Sequence, residues 1–186
     1  MPDISEDRFI EADWHDFYRD AKAEIPPNLP VPNGKPVTIS CFVDDSHACD
    51  VVTCCSQTGI LTFLNQALIH WYSKRQSTVE GSTFCSEYIA MKTAVEMIKA
   101  FRYKLRTFGI EIDGPADVFC DMKSVIKNTR NPESTLSKKH NAIGYHLCHE
   151  PVAAGIIRVT ASNLAYILTK QMSKERREGL MFKFMY

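Results

Sequence analysis

Acidic residues at two predicted strand ends and one predicted helix start are the part of this sequence best suited to chemistry. Asp44 and Asp45 directly follow residues 37–43, whose alternating apolar side chains predict a buried strand. Asp121 ends a second short apolar stretch, and Glu87 lies in the predicted first turn of a long helix, where its charge complements the helix dipole. A carboxylate at the end of an interior strand is costly to bury unless a proton, a cation or hydrogen bonds compensate it. Taken alone, solvation of both aspartates in a turn explains the pair equally well.

Asp44, Glu87 and Asp121 converge if the two strands are neighbours and the helix packs across them. Clustered carboxylates repel one another unless a hard cation holds them, and oxygen ligands suit Mg²⁺, with Mn²⁺ as a substitute. Two such ions, each partly held by substrate phosphate, activate a water molecule and stabilise the leaving oxygen in phosphodiester cleavage. The spacing suggests this chemistry, although acids at strand ends are also common in loops. His47 follows the aspartate pair closely, but a solvated turn histidine is its simpler interpretation.

Periodicity and turn residues predict the elements that must position these acids. Strands are predicted for residues 37–43, 59–64, 67–73, 116–120 and 156–159, and helices for 86–108, 122–129, 135–153 and 162–184. Asn65-Gln66 predicts a two-residue hairpin, so the first three strands form an antiparallel meander. This order predicts a five-stranded mixed sheet with helices on its faces, of the α/β (mixed α+β) class.

Residues 1–35 are predicted to be a tail and connector, and residues 36–186 the folded domain. The proline-rich run 26–36 is incompatible with a helix or a sheet interior. Before it, residues 13–22 predict a short helix. This helix shows three aromatic side chains on one side, Trp14, Phe17 and Tyr18. Two interpretations stay open, because these rings either dock back onto the domain or pack on an upstream partner.

Composition indicates a globular domain without a membrane or secretory segment. Of the 186 residues, 45% are hydrophobic and 24% are charged, which suits one domain with a core and a tail. The longest apolar runs are far too short to span a bilayer, and the N-terminus lacks the features of a signal peptide. The seven cysteines include no Cys-x-x-Cys pair, which is typical of thiols in a reducing compartment. We therefore expect an intracellular, cytoplasmic protein.

Charge is unevenly distributed along the chain, although the formal net charge is zero. Residues 1–34 hold eight acidic and three basic residues, a balance of −5, whereas residues 121–186 hold eleven basic and five acidic residues, a balance of +6. A basic second half suits a polyanionic partner. The candidate phosphate contacts, for which simple solvent exposure is the alternative, are Lys74, Arg75, Lys139, His140 and Lys170.

Several short segments accompany the acids in a characteristic order. They are Cys41-Phe-Val-Asp-Asp-Ser-His-Ala48, Thr58-Gly-Ile-Leu61, Ile69-His-Trp-Tyr-Ser-Lys-Arg-Gln76, Ser86-Glu-Tyr-Ile-Ala90, Val118-Phe-Cys-Asp121, Ser124-Val-Ile126, Lys139-His140, Tyr145-His146 and Leu164-Ala-Tyr-Ile-Leu-Thr-Lys170. Each segment is weak alone, but together and in order they resemble the ribonuclease H domain of copia-type retrotransposon polyproteins. The resemblance covers about residues 36–176.

The resemblance implies a ribonuclease H-like fold and a metal-dependent cleavage of the RNA strand in RNA–DNA hybrids. It places Asp44, Glu87 and Asp121 at three of the four acidic positions that bind Mg²⁺ and carry out catalysis in this family. It also implies that the connector joins the domain to the reverse transcriptase of the same polyprotein. An active element would place the domain in cytoplasmic virus-like particles.

The fourth acidic position of the family is occupied by Tyr166, because Tyr replaces Asp in the pattern Leu-Ala-Asp-x-x-Thr-Lys. A phenol is neutral near pH 7 and is a poor Mg²⁺ ligand. The connection between Val159 and Leu164 is also shorter than in the family. Impaired hydrolysis is therefore expected. The alternatives are an inactive ribonuclease H-like module that binds nucleic acid or supports a reverse transcriptase, and an unrelated phosphohydrolase on the same fold.

Overall fold

A five-stranded mixed sheet is the framework of the structure, a computed structural model that describes residues 13–134, 142–161, 165–170, 172–175 and 178–179. The strands are β1 (Ile39–Ser46), β2 (Gln57–Leu64), β3 (Ala67–Arg75), β4 (Ala116–Cys120) and β5 (Ile157–Ala161). Their spatial order is β3-β2-β1-β4-β5; the first three strands pair antiparallel, β4 pairs parallel with β1, and β5 pairs parallel with β4. The predicted α/β class and antiparallel meander are confirmed.

The helices of the described residues lie before, between and after these strands. They are α1 (His15–Tyr18), α2 (Thr83–Thr107), α3 (Lys123–Arg130), α4 (Ala142–Ala153) and a 3₁₀ helix (Ala165–Leu168). The predicted α-helix over residues 162–184 is therefore wrong at residues 165–168, where the chain winds more tightly as it packs against β1 and β2. Helical turns follow at 174–175 and 178–179, and the rest of that prediction lies outside the described residues. Within the described ranges, no helix is both long and apolar enough to cross a membrane.

Strand β1 continues through both aspartates instead of ending before them. Asp44 pairs with Gly59 of β2, and Asp45 pairs with Thr58, whereas the pairing of β1 with β4 spans Ser40 to Phe42 only. The alternative of a solvated turn is therefore wrong, because β2 continues to supply backbone partners on one side after β4 has ended on the other. The acids consequently lie inside the sheet on the β2 side and beyond the end of β4.

The two faces of β1 contact two separate apolar clusters. Ile39, Cys41 and Val43 lie in the larger cluster, which α2 covers. Phe42 points to the other face, where its ring stacks on Phe119 with the ring centroids 4.6 Å apart. The alternation along β1 thus separates two buried faces, which anchors the strand that carries Asp44.

Helix α2 begins at Thr83, three residues before the predicted start. The Ser82 hydroxyl accepts a hydrogen bond from the Cys85 backbone N–H, with a nitrogen–oxygen distance of 3.4 Å, and caps the helix. Gly109, at φ 71°, follows the cap residue Phe108 and ends the helix, as predicted. Because of the earlier start, Glu87 lies in the second turn, and the predicted position in the first turn is wrong.

The N-terminal aromatic residues dock back onto the domain at α4. The Tyr18 hydroxyl lies 2.7 Å from His146 Nδ1, and the Trp14 ring meets the edge of His149 with the centroids 5.3 Å apart. Burial lowers the pKa of His149 to about 4, so its ring is neutral in this packing. Phe17, by contrast, is 54% exposed, so two of the three predicted rings make the contact. The boundary of the folded domain near residue 36 stays a prediction.

Candidate metal centre at the acidic end of the sheet

Glu87 and Asp121 lie together where β4 ends beside the second turn of α2. A carboxylate oxygen of each and the Cys120 sulfur are within 4.8 Å of one another. Burial raises the pKa of the Cys120 thiol to about 12, so the thiol stays protonated and the carboxylates are the available anionic donors. Glu87 is buried, whereas Asp121 is exposed, so the pair opens towards solvent on the Asp121 side.

Asp44 belongs to the same electrostatic cluster but has its own contacts. Its side chain is fully buried, and its carboxylate accepts a hydrogen bond from the Thr169 hydroxyl. The Lys170 ammonium lies 3.7 Å from the other carboxylate oxygen. Asp44 also acts electrostatically on Glu87. The structure thus brings the three predicted acids to one end of the sheet, with Asp44 held by the chain segment that follows β5.

Glu87 is the least compensated carboxylate of the cluster. Burial, followed by the negative charges of Asp44, Asp121 and Asp45, raises the pKa of Glu87 to about 9. Its Oε2 atom is buried and has no hydrogen-bond partner among the described residues. A proton or a cation is therefore needed beside Glu87 at neutral pH. An all-oxygen, partly exposed donor set of this kind fits a hard divalent cation such as Mg²⁺.

Gln76 organises the cluster and was not predicted as a site residue. The two N–H groups of its side-chain amide are shared among three acceptors, with Nε2 at 3.0 Å from Asp45 Oδ1, 3.0 Å from Thr58 Oγ1 and 2.9 Å from the Ser86 carbonyl oxygen. These bonds join β1, β2 and α2 directly beside Glu87. Burial raises the pKa of Asp45 to about 6, although a hydrogen bond from the Ser86 side chain and the charges of His47 and Lys170 act to lower it. The sequence signal was weak, because a glutamine after Lys74-Arg75 is also typical of an exposed strand end.

His47 and the backbone position of Tyr166 remain to be placed relative to the acids. His47 Nδ1 lies 3.1 Å from the Ser86 hydroxyl, so this histidine contacts the start of α2 instead of only solvent. Tyr166 lies in the 3₁₀ helix, three residues before Thr169. The family position that carries the fourth acid thus belongs to the segment that contacts Asp44.

The predicted phosphate contacts have different positions. Lys74 is exposed on the edge strand β3. Arg75 instead forms an ion pair with Asp50, at 2.8 Å, and Lys170 faces Asp44. Lys139 and His140 lie outside the described residues. Lys170 is therefore the predicted phosphate contact that the structure places at the acidic cluster.

Sequence comparison relates the chain to long polyproteins. No family model matches it. It is 28% identical over 145 residues to the retrovirus-related Pol polyprotein from transposon RE2 of Arabidopsis thaliana, covering 76% of this chain and 10% of that protein. It is 32% identical over 142 residues to the Pol polyprotein from transposon TNT 1-94 of Nicotiana tabacum, covering 74% of this chain and 10% of that protein. The chain spans about a tenth of the length of these curated relatives.

Structural comparison relates the fold to ribonucleases H. LC11 ribonuclease H1, solved in complex with an RNA/DNA hybrid, matches with a TM-score of 0.54 and 14% identity over 71% of this chain and 94% of that chain. The N-terminal ribonuclease H domain of a Mycobacterium tuberculosis protein, solved as a fusion with maltose-binding protein, matches with a TM-score of 0.50 and 11% identity over 78% of this chain and 97% of that chain. At these identities the likeness establishes the fold.

The mixed sheet, its flanking helices and these structural matches define a ribonuclease H-like domain. Its homologues are the retrovirus-related Pol polyproteins of copia-type transposons, and the chain is similar to one segment of them. The resemblance that the motifs indicated is therefore confirmed.

Proposed function

We propose that this domain is a metal-dependent ribonuclease H that cleaves the RNA strand of RNA–DNA hybrids. The observation that carries the proposal is the buried Glu87 carboxylate, whose Oε2 atom has no hydrogen-bond partner among the described residues, beside Asp121 and within the field of Asp44. A fold that tolerates such a cluster needs a cation or protons there, and the donor oxygens suit Mg²⁺ or Mn²⁺. The structural similarity to a ribonuclease H solved with an RNA/DNA hybrid supports this choice of substrate.

The chain's own residues would each have a distinct role. Glu87 and Asp121 would hold the divalent cation at the open side of the cluster, and Asp44 would complete the carboxylate set. When bound, divalent ions supply an activated water and stabilise the leaving oxygen at the scissile phosphate. Gln76 would fix the spacing of β1 and α2, because it bonds Asp45 and the Ser86 carbonyl together. A domain of this kind recognises hybrid shape and RNA 2′-hydroxyls more than base sequence.

The homologues support a proposal for the partner and the location of this domain. We propose that the domain works with the reverse transcriptase of the same polyprotein, because its curated relatives are Pol polyproteins about ten times longer than the matched region. Reverse transcription produces RNA–DNA hybrids, which are the substrate proposed above. We therefore propose that the domain acts in the cytoplasm, within virus-like particles if the element is active.

A second candidate function is an inactive module that binds nucleic acid or supports a reverse transcriptase. Tyr166 at the fourth acidic position favours it, because a phenol is a poor metal ligand. The Lys170 ammonium beside Asp44 also favours it, since a positive charge already lies at one of the three remaining carboxylates.

Cleavage of a labelled RNA–DNA hybrid in Mg²⁺ and in Mn²⁺ distinguishes these functions. The variants are Asp44→Asn, Glu87→Gln and Tyr166→Asp, with Glu96→Gln as a matched control because Glu96 lies on the same helix and is exposed. We expect wild-type cleavage that falls at least about a hundredfold in Asp44→Asn and Glu87→Gln and is unchanged in Glu96→Gln. Cleavage only in Tyr166→Asp would identify a decayed enzyme on an intact scaffold. Silence of all variants, with circular dichroism showing folded protein, would leave only the binding module.

A further inference from the structure

We propose that residues 165–170 form an internal plug whose last two residues, Thr169 and Lys170, contact Asp44 and compete with a divalent cation for this carboxylate. The inference rests on the proposed metal centre and concerns how this chain regulates access to it. The plug is the described segment 165–170, which includes the 3₁₀ helix. Metal binding at Asp44 then requires the ammonium of Lys170 to move away or to share the carboxylate.

The two carboxylate oxygens of Asp44 face Thr169 and Lys170, the last two residues of the plug. The Thr169 hydroxyl donates a hydrogen bond to Oδ2, and the Lys170 ammonium lies 3.7 Å from Oδ1. Asp44 is fully buried, so the hydroxyl hydrogen bond and the ammonium charge stabilise a carboxylate that solvent does not reach. The Lys170 charge also acts on Glu87 and Asp45. One ammonium therefore supplies part of the positive charge that the whole acidic cluster needs.

The absence of a side chain at Gly59 of β2 makes room for the plug. Gly59 pairs directly opposite Asp44, and a Cβ atom added to it would lie 2.6 Å from Thr169 Cγ2 and 2.9 Å from Leu168 Cβ. Real Cβ contacts are almost never that short, so any side chain at residue 59 would push the plug away. The close approach of Thr169 to Asp44 thus depends on a glycine at this register position.

Two contacts outside the acidic cluster hold the plug in place. The Ser73 hydroxyl of β3 donates to the Leu168 carbonyl at 3.0 Å. Ala165 is fully buried in the apolar cluster that contains Phe42 and Phe119. These anchors involve β1, β3 and β4. The position of Lys170 is therefore fixed by the packing of its segment on the sheet as well as by its ion pair with Asp44.

Competition follows from the placement of like charges. A divalent cation at Asp44 repels the Lys170 ammonium, so each weakens the binding of the other, and the coupling is reciprocal. Removing the ammonium should strengthen metal binding, whereas a lysine that merely contacts substrate phosphate would leave metal binding without substrate unchanged. Metal affinity measured without nucleic acid therefore separates the two roles.

The test measures the affinity of the full chain for Mn²⁺ by electron paramagnetic resonance and by calorimetry, in the absence of nucleic acid. We expect Lys170→Met to bind Mn²⁺ about three- to tenfold more tightly than wild type, and Thr169→Val to shift affinity in the same direction by less. Lys174→Met is the matched control, because Lys174 is exposed and pairs with Glu178 at 3.8 Å. It should bind Mn²⁺ like wild type.

Gly59→Ala tests the plug without changing any charge. Displacing residues 168 and 169 should raise Mn²⁺ affinity as Lys170→Met does, with thermal melting used to verify folding. Unchanged or weaker Mn²⁺ binding in Lys170→Met would overturn the plug while leaving the metal centre intact, provided that wild type binds Mn²⁺ and Glu87→Gln does not. Absence of Mn²⁺ binding in every variant would overturn both the plug and the proposed metal centre.

Discussion

Helix α2 buries one carboxylate near its start and one guanidinium near its end, and the two surroundings differ. Glu87 and Arg102 are 7% and 6% exposed, and their separation of fifteen residues is about 22 Å along the helix axis. Glu87 faces other acids, which together with burial raise its pKa to about 9. Arg102 donates through Nη1 to the Gly114 carbonyl at 2.9 Å, and burial, with the nearby Arg106, lowers its pKa.

The comparison shows that burial of a charge does not by itself indicate function. Arg102 binds a backbone carbonyl in the turn before β4, which is a structural role, and a guanidinium stays charged in proteins. Glu87 and Arg102 each keep one buried side-chain atom without a partner in the described part of the chain, Oε2 and Nε, so the difference lies in the charges nearby: three acids act on Glu87, and Arg106 acts on Arg102. The negative charges around Glu87 therefore indicate a site that favours a cation, whereas Arg102 holds a backbone carbonyl in place.

Replacing Glu87 should give the largest change in stability. In EDTA at pH 8, we expect Glu87→Gln to increase the free energy of unfolding by about 3 kcal/mol, because folding at this pH must protonate Glu87, which is ionised in the unfolded chain, whereas the amide needs no proton. The folded-state pKa of about 9 exceeds the unfolded value of 4.5, so the folded state binds the proton more tightly. Wild-type stability from this group is complete below pH 4.5 and is lost as the pH rises towards 9. Urea unfolding at pH 5 and pH 8 measures the effect.

Two controls sharpen this prediction. Glu96→Gln on the exposed part of the same helix should leave the pH dependence of wild type in place. Saturating Mg²⁺ should stabilise wild type, by about 2.7 kcal/mol at a hundred times the dissociation constant, and should stabilise Glu87→Gln much less. A Glu87→Gln variant that is less stable than wild type in EDTA at pH 8 would mean that Glu87 is compensated in the folded chain.

Replacing Gln76 should produce the next largest effect, with the opposite sign. Gln76→Leu removes the donor shared by Asp45, Thr58 and the Ser86 carbonyl. We expect the free energy of unfolding to fall by about 2 kcal/mol, because buried acceptors are left without a partner. Gln57→Leu is the matched control, since Gln57 makes one exposed hydrogen bond and should change stability by less than about 0.5 kcal/mol. Equal losses of unfolding free energy in the two variants, measured by urea unfolding, would show that Gln76 does not organise the acidic cluster.

Much of the acidic end could be predicted from the sequence, because its main features are local. The strand before Asp44, the strand before Asp121 and the position of Glu87 on a helix each follow from short-range patterns. Their convergence needs the parallel pairing of β1 with β4 and the packing of α2 across β1, which the order of elements favours. The family resemblance added the role of these acids, which remains a proposal.

The remaining features depend on register between distant segments, which local patterns do not contain. The plug requires Gly59 to lie opposite Asp44 and Thr169 to lie over both, at a separation of 110 residues from Gly59. Gln76 acquires its role only because β3 ends beside the start of α2. The extension of β1 through its aspartates likewise depends on the length of β2 and not on the residues of β1.

Replacing Arg102 should change stability less than replacing Gln76. Arg102→Met loses one hydrogen bond to Gly114 but also removes a buried charge that lacks a carboxylate partner within the described ranges, so we expect a net loss of about 1 kcal/mol or less. Arg102→Ala should cost at least about 1 kcal/mol more, because it also removes the packing of the side-chain stem. Urea unfolding compares the two variants. A loss of several kcal/mol in Arg102→Met would mean that the guanidinium itself stabilises this end of α2.

The smallest effect is expected for an ion pair in the middle of α2, between Glu87 and Arg102. Its coupling energy gives a reference value for the effects at both ends of the helix. Lys92 Nζ and Glu96 Oε1 are 3.7 Å apart on the exposed face of α2, with 36% and 54% of their side chains exposed. Solvent screens such a pair, so a double-mutant cycle of Lys92→Met and Glu96→Gln should give a coupling of about 0.3–0.5 kcal/mol. The coupling should halve or vanish in 1 M salt. A coupling as large as the effect at Glu87 would show that charges on α2 are strong everywhere, and the contrast between its two ends would then lose its meaning.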